Sequence, residues 1–297
     1  MVGFMDIVVT GATGQLGRLV IDELLKRASA ERIVAVARDP AKTPPLARLG
    51  VRVRMADYDR PRTLCDAFSP GDRVLLISSD QAGEVRTTQH AAVIAQARAA
   101  GVALLAYTSV LGADTATFEI GRDHRATELL LRDSGLPYVL LRNGWYNENY
   151  TGYLAATLTH GRVFASAGPG RVATAACIDY AAAAAEVLTG EGHENRAYEL
   201  SGDRAWGLAE YAAEVTRQSG RGVGYTSMPE AEFRRFMIEA GVPAEDADAL
   251  VDADAAIARG ELAATTGELR ELIGRPTTPI SDSIRTALER QAPQFSS

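Results

Sequence analysis

Residues 7–17 read Ile-Val-Val-Thr-Gly-Ala-Thr-Gly-Gln-Leu-Gly, an apolar strand that runs directly into three glycines spaced three apart. An amphipathic helical pattern follows over residues 16–24. A strand, a tight glycine turn and a helix start form a cradle for a pyrophosphate, because the helix N-terminus presents free backbone N–H groups. We expect Gly11 to allow the turn, Gly14 to let the backbone approach a phosphate, and Gly17 to let the helix pack on the strand. The stretch predicts dinucleotide binding; a glycine turn needed only for packing is the alternative.

The predicted cofactor contacts of this turn and helix start come from six residues. They are Gly11, Thr13, Gly14, Gln15, Leu16 and Gly17.

The first half of the chain alternates between apolar strands and helices. Strands are predicted at 6–10, 33–37, 51–55, 73–78, 103–108 and 137–141, and helices at 14–28, 84–100 and 122–134. Continuous apolar strands separated by helices indicate a parallel sheet covered on both faces. Residues 1–144 are therefore predicted to be an α/β, Rossmann-type doubly wound domain, with its ligand at the carboxyl ends of the strands.

The rhythm changes after Asn143, and residues 145–297 are predicted to form a smaller, mainly helical lobe that carries the substrate site. Helices are expected at 148–160, 179–189, 207–219, 230–240, 244–259 and 280–290. Short strands are expected near 163–166, 172–176, 196–200 and 223–227. The segments near 172–200 are candidates to return to the main sheet.

The end of the second strand indicates which dinucleotide is bound. An NAD site places an acidic residue there to accept from the ribose 2′-hydroxyl, but this chain has Ala37 followed by Arg38. An arginine can make two charge-assisted hydrogen bonds to a 2′-phosphate, and Lys42 adds positive charge nearby. Asp39 is expected to point away. The pattern favours NADP(H); the alternative is that Arg38 is only a solvated strand end.

Polar residues at the ends of the other strands are further candidates for cofactor contacts. They are Asp57 and Tyr58 after the third strand, Ser78 and Ser79 at the fourth, Thr108 and Ser109 at the fifth, and Asn143 after the sixth. Together they are expected to line one edge of the sheet.

Composition excludes several classes of function. With 46% hydrophobic and 23% charged residues, the 297-residue chain has the composition of a soluble globular enzyme. A net charge of -7 without a basic block argues against nucleic-acid binding. We expect a cytoplasmic protein, because the chain has only two cysteines, far apart, and shows no leader. We expect no metal site and no membrane partner, because the sequence shows neither metal-ligand spacing nor a membrane-spanning stretch.

Several stretches, spread over almost the whole chain, resemble the NmrA-like atypical short-chain dehydrogenase/reductase family, and in particular its type-2 bacterial NAD(P)H:quinone oxidoreductases. They are Thr10–Gly17, 75–79 (Leu-Leu-Ile-Ser-Ser), 106–109 (Ala-Tyr-Thr-Ser), 141–150 (Leu-Arg-Asn-Gly-Trp-Tyr-Asn-Glu-Asn-Tyr) and 273–278 (Ile-Gly-Arg-Pro-Thr-Thr). The resemblance implies a cytoplasmic enzyme that prefers NADPH, needs neither flavin nor metal, and reduces quinones. The resemblance is also compatible with a homodimer.

The chain lacks the Tyr-x-x-x-Lys signature of standard short-chain dehydrogenases, and residues 118–128 hold no tyrosine. Ketone reduction needs a strong, well-placed acid, whereas hydride addition to a quinone gives a delocalised, weakly basic anion. The missing signature is therefore compatible with a quinone. Asn143 and Tyr146 are the predicted catalytic residues, and Trp145, Tyr146, Asn149 and Tyr150 are predicted to contact a flat substrate; core packing is the alternative for Trp145 and Tyr150.

Two other functions remain open from the sequence. One is an NADP(H)-binding redox sensor of the NmrA type without turnover, which would need no aromatic pocket beside the nicotinamide. The other is a reductase or isomerase acting on another small acceptor, such as an azo dye or an enone.

Overall fold

The computed structural model describes residues 5–291 and contains eleven strands in that part of the chain. The strands are β1 Ile7–Val9, β2 Ile33–Ala37, β3 Arg52–Met55, β4 Arg73–Leu76, β5 Leu104–Val110, β6 Tyr138–Asn143, β7 Arg162–Ala165, β8 Arg171–Val172, β9 Arg196–Leu200, β10 Trp206–Gly207 and β11 Gly224–Ser227. The α-helices are α1 Gln15–Leu24, α2 Pro44–Arg48, α3 Gly83–Ala100, α4 Glu119–Asp133, α5 Glu148–Thr151, α6 Leu154–His160, α7 Cys177–Thr189, α8 Leu208–Ser219, α9 Glu230–Glu239, α10 Ala244–Ala258, α11 Glu268–Ile273 and α12 Ile280–Gln291.

The chain divides into two units. The first comprises residues 5–114, 120–143 and 177–200, and the second comprises 115–119, 144–176 and 201–291. Residues 115–119, which the sequence placed in the first domain, thus cluster with the second unit.

A seven-stranded sheet, with every pair parallel, forms the centre of the first unit. Its order is β3-β2-β1-β4-β5-β6-β9. The predicted α/β, Rossmann-type doubly wound sheet is confirmed. Strand order reverses between β1 and β4, and ligands of such sheets bind beyond the carboxyl ends of the strands at this point.

Alternate residues of the strands face two helical layers. Val8, Val36, Leu76 and Leu105 share a core cluster with α3, through residues such as Val93. On the opposite side α1 packs against α7 and against β1 and β2. Strands buried on both faces explain the uninterrupted apolar runs of the sequence.

The second unit combines two short strand pairs with helices. Strand β7 pairs in parallel with β11, and β8 pairs antiparallel with β10. Within residues 5–291 no helix is both long enough and apolar enough to cross a bilayer.

The strand expected at 172–176 was wrong. Only Arg171–Val172 is a strand, and it lies outside the main sheet. The next residues bond to three different segments: Ala173 N–H donates to Leu262 O at 2.8 Å, Gly202 N–H donates to Ala173 O at 3.2 Å, and Asn147 N–H donates to Ala175 O at 2.9 Å. These bonds satisfy the backbone without a continuous ladder.

Several other element boundaries differ from the expectation. Helix α1 ends at Leu24 rather than residue 28, and the helix expected at 148–160 is interrupted between α5 and α6. Elements α2, α11 and β10 were not expected. Strand β5 continues to Val110 and β6 to Asn143, because the two strands pair over this whole length. Thr108, Ser109 and Asn143 consequently lie within strands rather than after them.

Candidate cofactor and active site

The glycine turn brings α1 unusually close to β1. Gly11 has φ +59°, a left-handed conformation that favours glycine. A Cβ on Gly17 would lie 2.4 Å from the carbonyl oxygen of Gly11, nearer than any real side-chain carbon approaches. Gly14 precedes the first residue of α1 and is exposed. The free N–H groups of the helix start therefore stand at the edge of the sheet where an anion can reach them.

A cavity of about 300 Å³ opens at this edge, within the first unit. It brings together eight of the predicted cofactor residues: Gly11, Thr13, Gly14, Arg38, Asp57, Tyr58, Ser78 and Ser79. Lys42, Asp80 and Gln89 also line it. The other predicted cofactor residues, which do not line it, are Gln15, Leu16, Gly17, Thr108, Ser109 and Asn143.

Two cations meet the cavity at the end of β2. Arg38 follows the strand and Lys42 belongs to the short turn after it. The carboxylate of Asp39 accepts the backbone N–H of Ala41 at 2.9 Å, so it caps its own turn. One oxygen of the nearest acid in sequence thus has a local partner, but Asp39 still lines the cavity beside Arg38 and Lys42, the two cations with which a phosphate can pair.

Tyr58 lines the cavity while its hydroxyl is held by the neighbouring strand ends. Its O–H donates to the hydroxyl of Thr10 and lies 3.1 Å from the carbonyl of Ile77. The Thr10 hydroxyl in turn donates to Leu75 O at 3.0 Å. Burial raises the pKa of Tyr58, which therefore stays a neutral hydrogen-bond donor.

The hydroxyls of Thr108 and Ser109 are used inside the protein. Thr108 Oγ1 accepts the backbone N–H of Ser78 at 2.9 Å, and Ser109 Oγ donates to Glu128 Oε1 at 2.6 Å. Glu128 also accepts two hydrogen bonds from Arg142, whose Nε and Nη2 lie 2.9 and 2.7 Å from its two oxygens. Thr108 thus positions the loop that carries Ser78, and Ser109 belongs to a buried ion-pair network.

A buried histidine, His90, forms a hydrogen bond to the backbone of the loop after β4. His90 Nε2 accepts the backbone N–H of Ser79 at 2.9 Å, which assigns the proton to Nδ1, 2.9 Å from Thr127 Oγ1. Burial, together with the charge of Arg86, lowers the pKa of His90 to about 3. Burial also holds the pKa of His124 well below its usual value, and its Nδ1 lies 2.7 Å from the Tyr107 hydroxyl. Both rings are neutral near pH 7.

Sequence reasoning did not single out Asp80, Gln89 or His90. His90 and Gln89 lie on α3 and both bond to the loop after β4: Gln89 lines the cavity and its Oε1 accepts the Ser79 hydroxyl, whereas His90 accepts the Ser79 N–H. Asp80 directly follows Ser79. It would have been a candidate if the polar residues considered after the fourth strand had extended one position further.

The predicted substrate residues of the second unit differ in their surroundings. Trp145 and Tyr146 are half-buried, with Trp145 edge-on to Phe118 at 6.3 Å between ring centroids. Asn149 is exposed. Tyr150 packs edge-on against Trp206 at 4.7 Å and beside Tyr211. The ring of Tyr150 therefore contributes to an aromatic cluster of the second unit, and burial raises its pKa.

Asn147, which the sequence did not single out, organises the second unit. It is fully buried; its amide donates to Thr278 O at 3.0 Å and to Ser283 Oγ at 2.9 Å, and its Oδ1 accepts the Thr174 hydroxyl. The Arg275–Thr278 stretch thereby acquires a structural role, since Thr277 N–H also donates to Asp203 Oδ2 at 3.0 Å. The sequence offers an amide directly after Tyr146, but two of its partners, Thr278 and Ser283, lie 131 and 136 positions away.

A second cavity, of about 800 Å³, lies wholly in the second unit. Trp206 and Tyr211 line it together with salt-bridged side chains such as Glu214 and Arg217. None of the predicted site residues lines it, and it has no glycine turn or strand-end edge. Despite its size, it lacks the features that recognise a dinucleotide. Within residues 5–291 no cluster of three metal-ligating side chains occurs.

Comparison with known proteins agrees with this geometry. The model of a family described as NAD(P)H-binding matches residues 11–189. The chain is 47% identical to quinone oxidoreductase 2 of Escherichia coli, over 94% of this chain and 97% of that protein. The structure of the NADPH-dependent quinone oxidoreductase QOR2 from Escherichia coli complexed with NADPH superposes with a TM-score of 0.92, at 46% identity, over 95% of this chain and 99% of that one. An NmrA-like family domain-containing oxidoreductase of Aspergillus flavus is 28% identical over 96% of this chain and 95% of its own.

Proposed function

Because the chain belongs to the NAD(P)H-binding family, in its NmrA-like branch, we propose that it is an enzyme that reduces quinones with NADPH. One observation carries the proposal: the cavity that joins the glycine turn to Arg38 and Lys42 occurs in a chain similar over nearly its whole length to an NADPH-dependent quinone oxidoreductase. When bound, NADPH would supply a hydride for direct transfer to the quinone, without flavin or metal.

The cofactor residues act by binding and orienting. The start of α1, after Gly14, offers backbone N–H groups to the pyrophosphate, and Arg38 with Lys42 offers charge to the 2′-phosphate. Asp57, Tyr58, Ser78 and Ser79 provide polar contacts along the cavity. The residues present therefore fit NADP(H); Asp39 also lines the cavity, with its Oδ1 accepting the backbone N–H of Ala41.

Asn143 and Tyr146 are our proposed catalytic residues. Asn143 is buried at the end of β6 and is suited to donate to a quinone oxygen or to hold the nicotinamide ribose. Tyr146 can provide a weak proton donor, which suffices because the reduced quinone is a delocalised anion. We propose that Trp145, Tyr146, Asn149 and Tyr150 contact the flat substrate, with positioning as the main contribution to rate.

Turnover distinguishes this proposal from a cofactor-binding sensor. Purified protein without added flavin is mixed with NADPH or NADH and a simple benzoquinone, and the loss of reduced-nicotinamide absorbance is followed. We expect rapid oxidation of NADPH and slower oxidation of NADH. NADPH binding detected by fluorescence, with no oxidation above a protein-free control, would instead support the sensor; an azo dye in the same assay tests the breadth of acceptors.

Arg38→Glu tests the cation at the 2′-phosphate. Hydrogen bonds to charged groups contribute about 1.5–3 kcal/mol, so we expect the Kd of NADPH to rise about 10- to 100-fold. The Kd of NADH should change by less than about threefold, since it lacks the phosphate. Arg48→Glu makes the same charge change at an exposed residue outside the cavity and serves as the control. Equal losses for both cofactors would contradict the role of Arg38.

Location and assembly complete the proposal. Neither Cys65 nor Cys177 forms a disulfide, as in proteins of a reducing compartment, and we propose that the enzyme is cytoplasmic. A homodimer is proposed from the family resemblance and is tested by measuring the mass of the protein in solution.

A further inference from the structure

Arg38, the cation assigned to the 2′-phosphate, already has a partner in the cavity. Its Nη2 lies 3.3 Å from Asp80 Oδ2. Both side chains line the cavity, and both are largely exposed, at 58% and 67%. The carboxylate of Asp80 therefore stands where a bound 2′-phosphate would need the guanidinium.

The backbone on which Asp80 sits is held on both sides. Before it, the N–H groups of Ser78 and Ser79 donate to Thr108 and His90, each at 2.9 Å. After it, Gln81 O accepts from Arg86 Nε at 2.6 Å. Beyond that, Gly83 N–H donates to Asp123 Oδ2 at 2.7 Å. The loop cannot carry Asp80 away from the cavity without breaking these part-buried hydrogen bonds, whereas the exposed side chain of Asp80 can turn.

Asp80 is ionised at neutral pH. The Gln81 side chain, 3.2 Å from Oδ1, lowers the pKa of this carboxyl; burial opposes that effect, and the charge of Arg38 lowers it further. A 2′-phosphate is an anion as well, so it meets a like charge beside the cation it binds. A 2′-hydroxyl meets no such repulsion and can donate to a carboxylate.

We propose that Asp80 is a specificity-determining residue that competes with the 2′-phosphate for Arg38 and thereby limits the preference for NADPH over NADH. The inference rests on the proposed function, since it concerns how the same cavity discriminates between the two cofactors. Asp80 weakens NADPH binding in two ways: it occupies Arg38, and it repels the phosphate directly.

Asp80→Asn is the decisive variant, because it removes the charge and keeps the shape. The Kd values of NADPH and NADH are measured by nicotinamide fluorescence at low ionic strength. We expect NADPH to bind roughly threefold to tenfold more tightly, as when an exposed ion pair is released and a like charge is removed. The Kd of NADH in the variant should lie within about twofold of the native value or above it. Added salt should reduce the improvement in NADPH binding.

A matched control and a double variant isolate the mechanism. Asp66→Asn makes the same change at an exposed acid that does not line the cavity, and it should leave both Kd values unaltered. In an Arg38→Ala background, Asp80→Asn should improve NADPH binding by about twofold or less, because only the direct repulsion of the phosphate is left to relieve.

The outcomes separate this inference from the proposed function. If the native protein binds NADPH and Asp80→Asn leaves its Kd unchanged, the inference alone is wrong. If Asp80→Asn weakens NADPH binding, Asp80 orients Arg38 rather than competing for it, which also overturns the inference. If the native protein binds neither cofactor, the proposed function itself fails.

Discussion

At the scale of single residues, the close contact between Gly17 and the glycine turn decides whether the cofactor cradle can form. A side-chain carbon at Gly17 would also lie 2.7 Å from Ala12 Cα, so the contact is with backbone on every side. Backbone atoms cannot rotate away as the end of a flexible side chain can. The absence of a side chain at Gly17 therefore determines how closely α1 can approach β1.

Gly17→Ala is expected to destabilise the protein and to weaken NADPH binding. Overpacking costs about 1–3 kcal/mol, which exceeds the roughly 1 kcal/mol that alanine gains over glycine within a helix. The free energy of unfolding in urea measures the first effect and cofactor fluorescence the second. Gly222→Ala, at an exposed glycine with nothing within 4 Å, is the control and should change stability by less than about 0.5 kcal/mol. Equal stability of the two variants would show that α1 has room to shift.

At the scale of elements, the second unit depends on irregular segments joined by side-chain hydrogen bonds. Asn147 links the start of α5 to Thr278 and Ser283, and the Thr174 hydroxyl that donates to it also accepts the Trp206 indole N–H at 2.8 Å. Such a fully satisfied buried network specifies one arrangement of its members, because every alternative leaves polar atoms unpaired.

Asn147→Ala should therefore be strongly destabilising. It leaves several buried polar groups without their partner, and we expect a loss of about 2–4 kcal/mol in the free energy of unfolding. Asn149→Ala, two residues along at an exposed position, should change it by less than about 0.5 kcal/mol. Urea unfolding followed by circular dichroism compares the two. A small loss at Asn147 would mean that water replaces the amide and that the network does not specify the unit.

At the scale of the whole molecule, buried neutral histidines make stability depend on pH. The pKa of His90 is about 3 in the folded protein, against an ordinary value of 6.5. Between these values the unfolded chain binds a proton that the folded protein does not, so protonation favours unfolding. Stability from this residue is complete above pH 6.5 and is lost as pH falls towards 3.

His90→Gln tests this linkage while keeping an acceptor for the Ser79 N–H. One proton corresponds to about 1.4 kcal/mol per pH unit, so the variant should lose about half of that slope of unfolding free energy at pH 6.5 and nearly all of it at about pH 5. This range lies above the usual titration of carboxyl groups. His160→Gln makes the same substitution at an exposed histidine and is the control. Equal slopes for His90→Gln and the native protein would mean that His90 takes up its proton without unfolding.

Comparison of particular elements shows where sequence reasoning was sufficient. Strands β2 and β9 have the predicted bounds, and α3 ends at Ala100, as the sequence predicted. These features depend on residues that are neighbours along the chain. The predicted ends of β5 and of the 172–176 strand were wrong, because strand length is set by pairing with segments that local patterns do not reveal.

The sequence by itself determined the glycine turn, the alternation of strands and helices, and the basic end of β2. Each is written in a short window, through backbone sterics and side-chain period. Only the tertiary structure decided that Asp80 lies beside Arg38, 42 positions earlier in the chain, and that His90 bonds to the loop that carries Asp80. Strand order and helix packing bring such residues together, and no local energy term encodes which distant partner a strand-end side chain will meet.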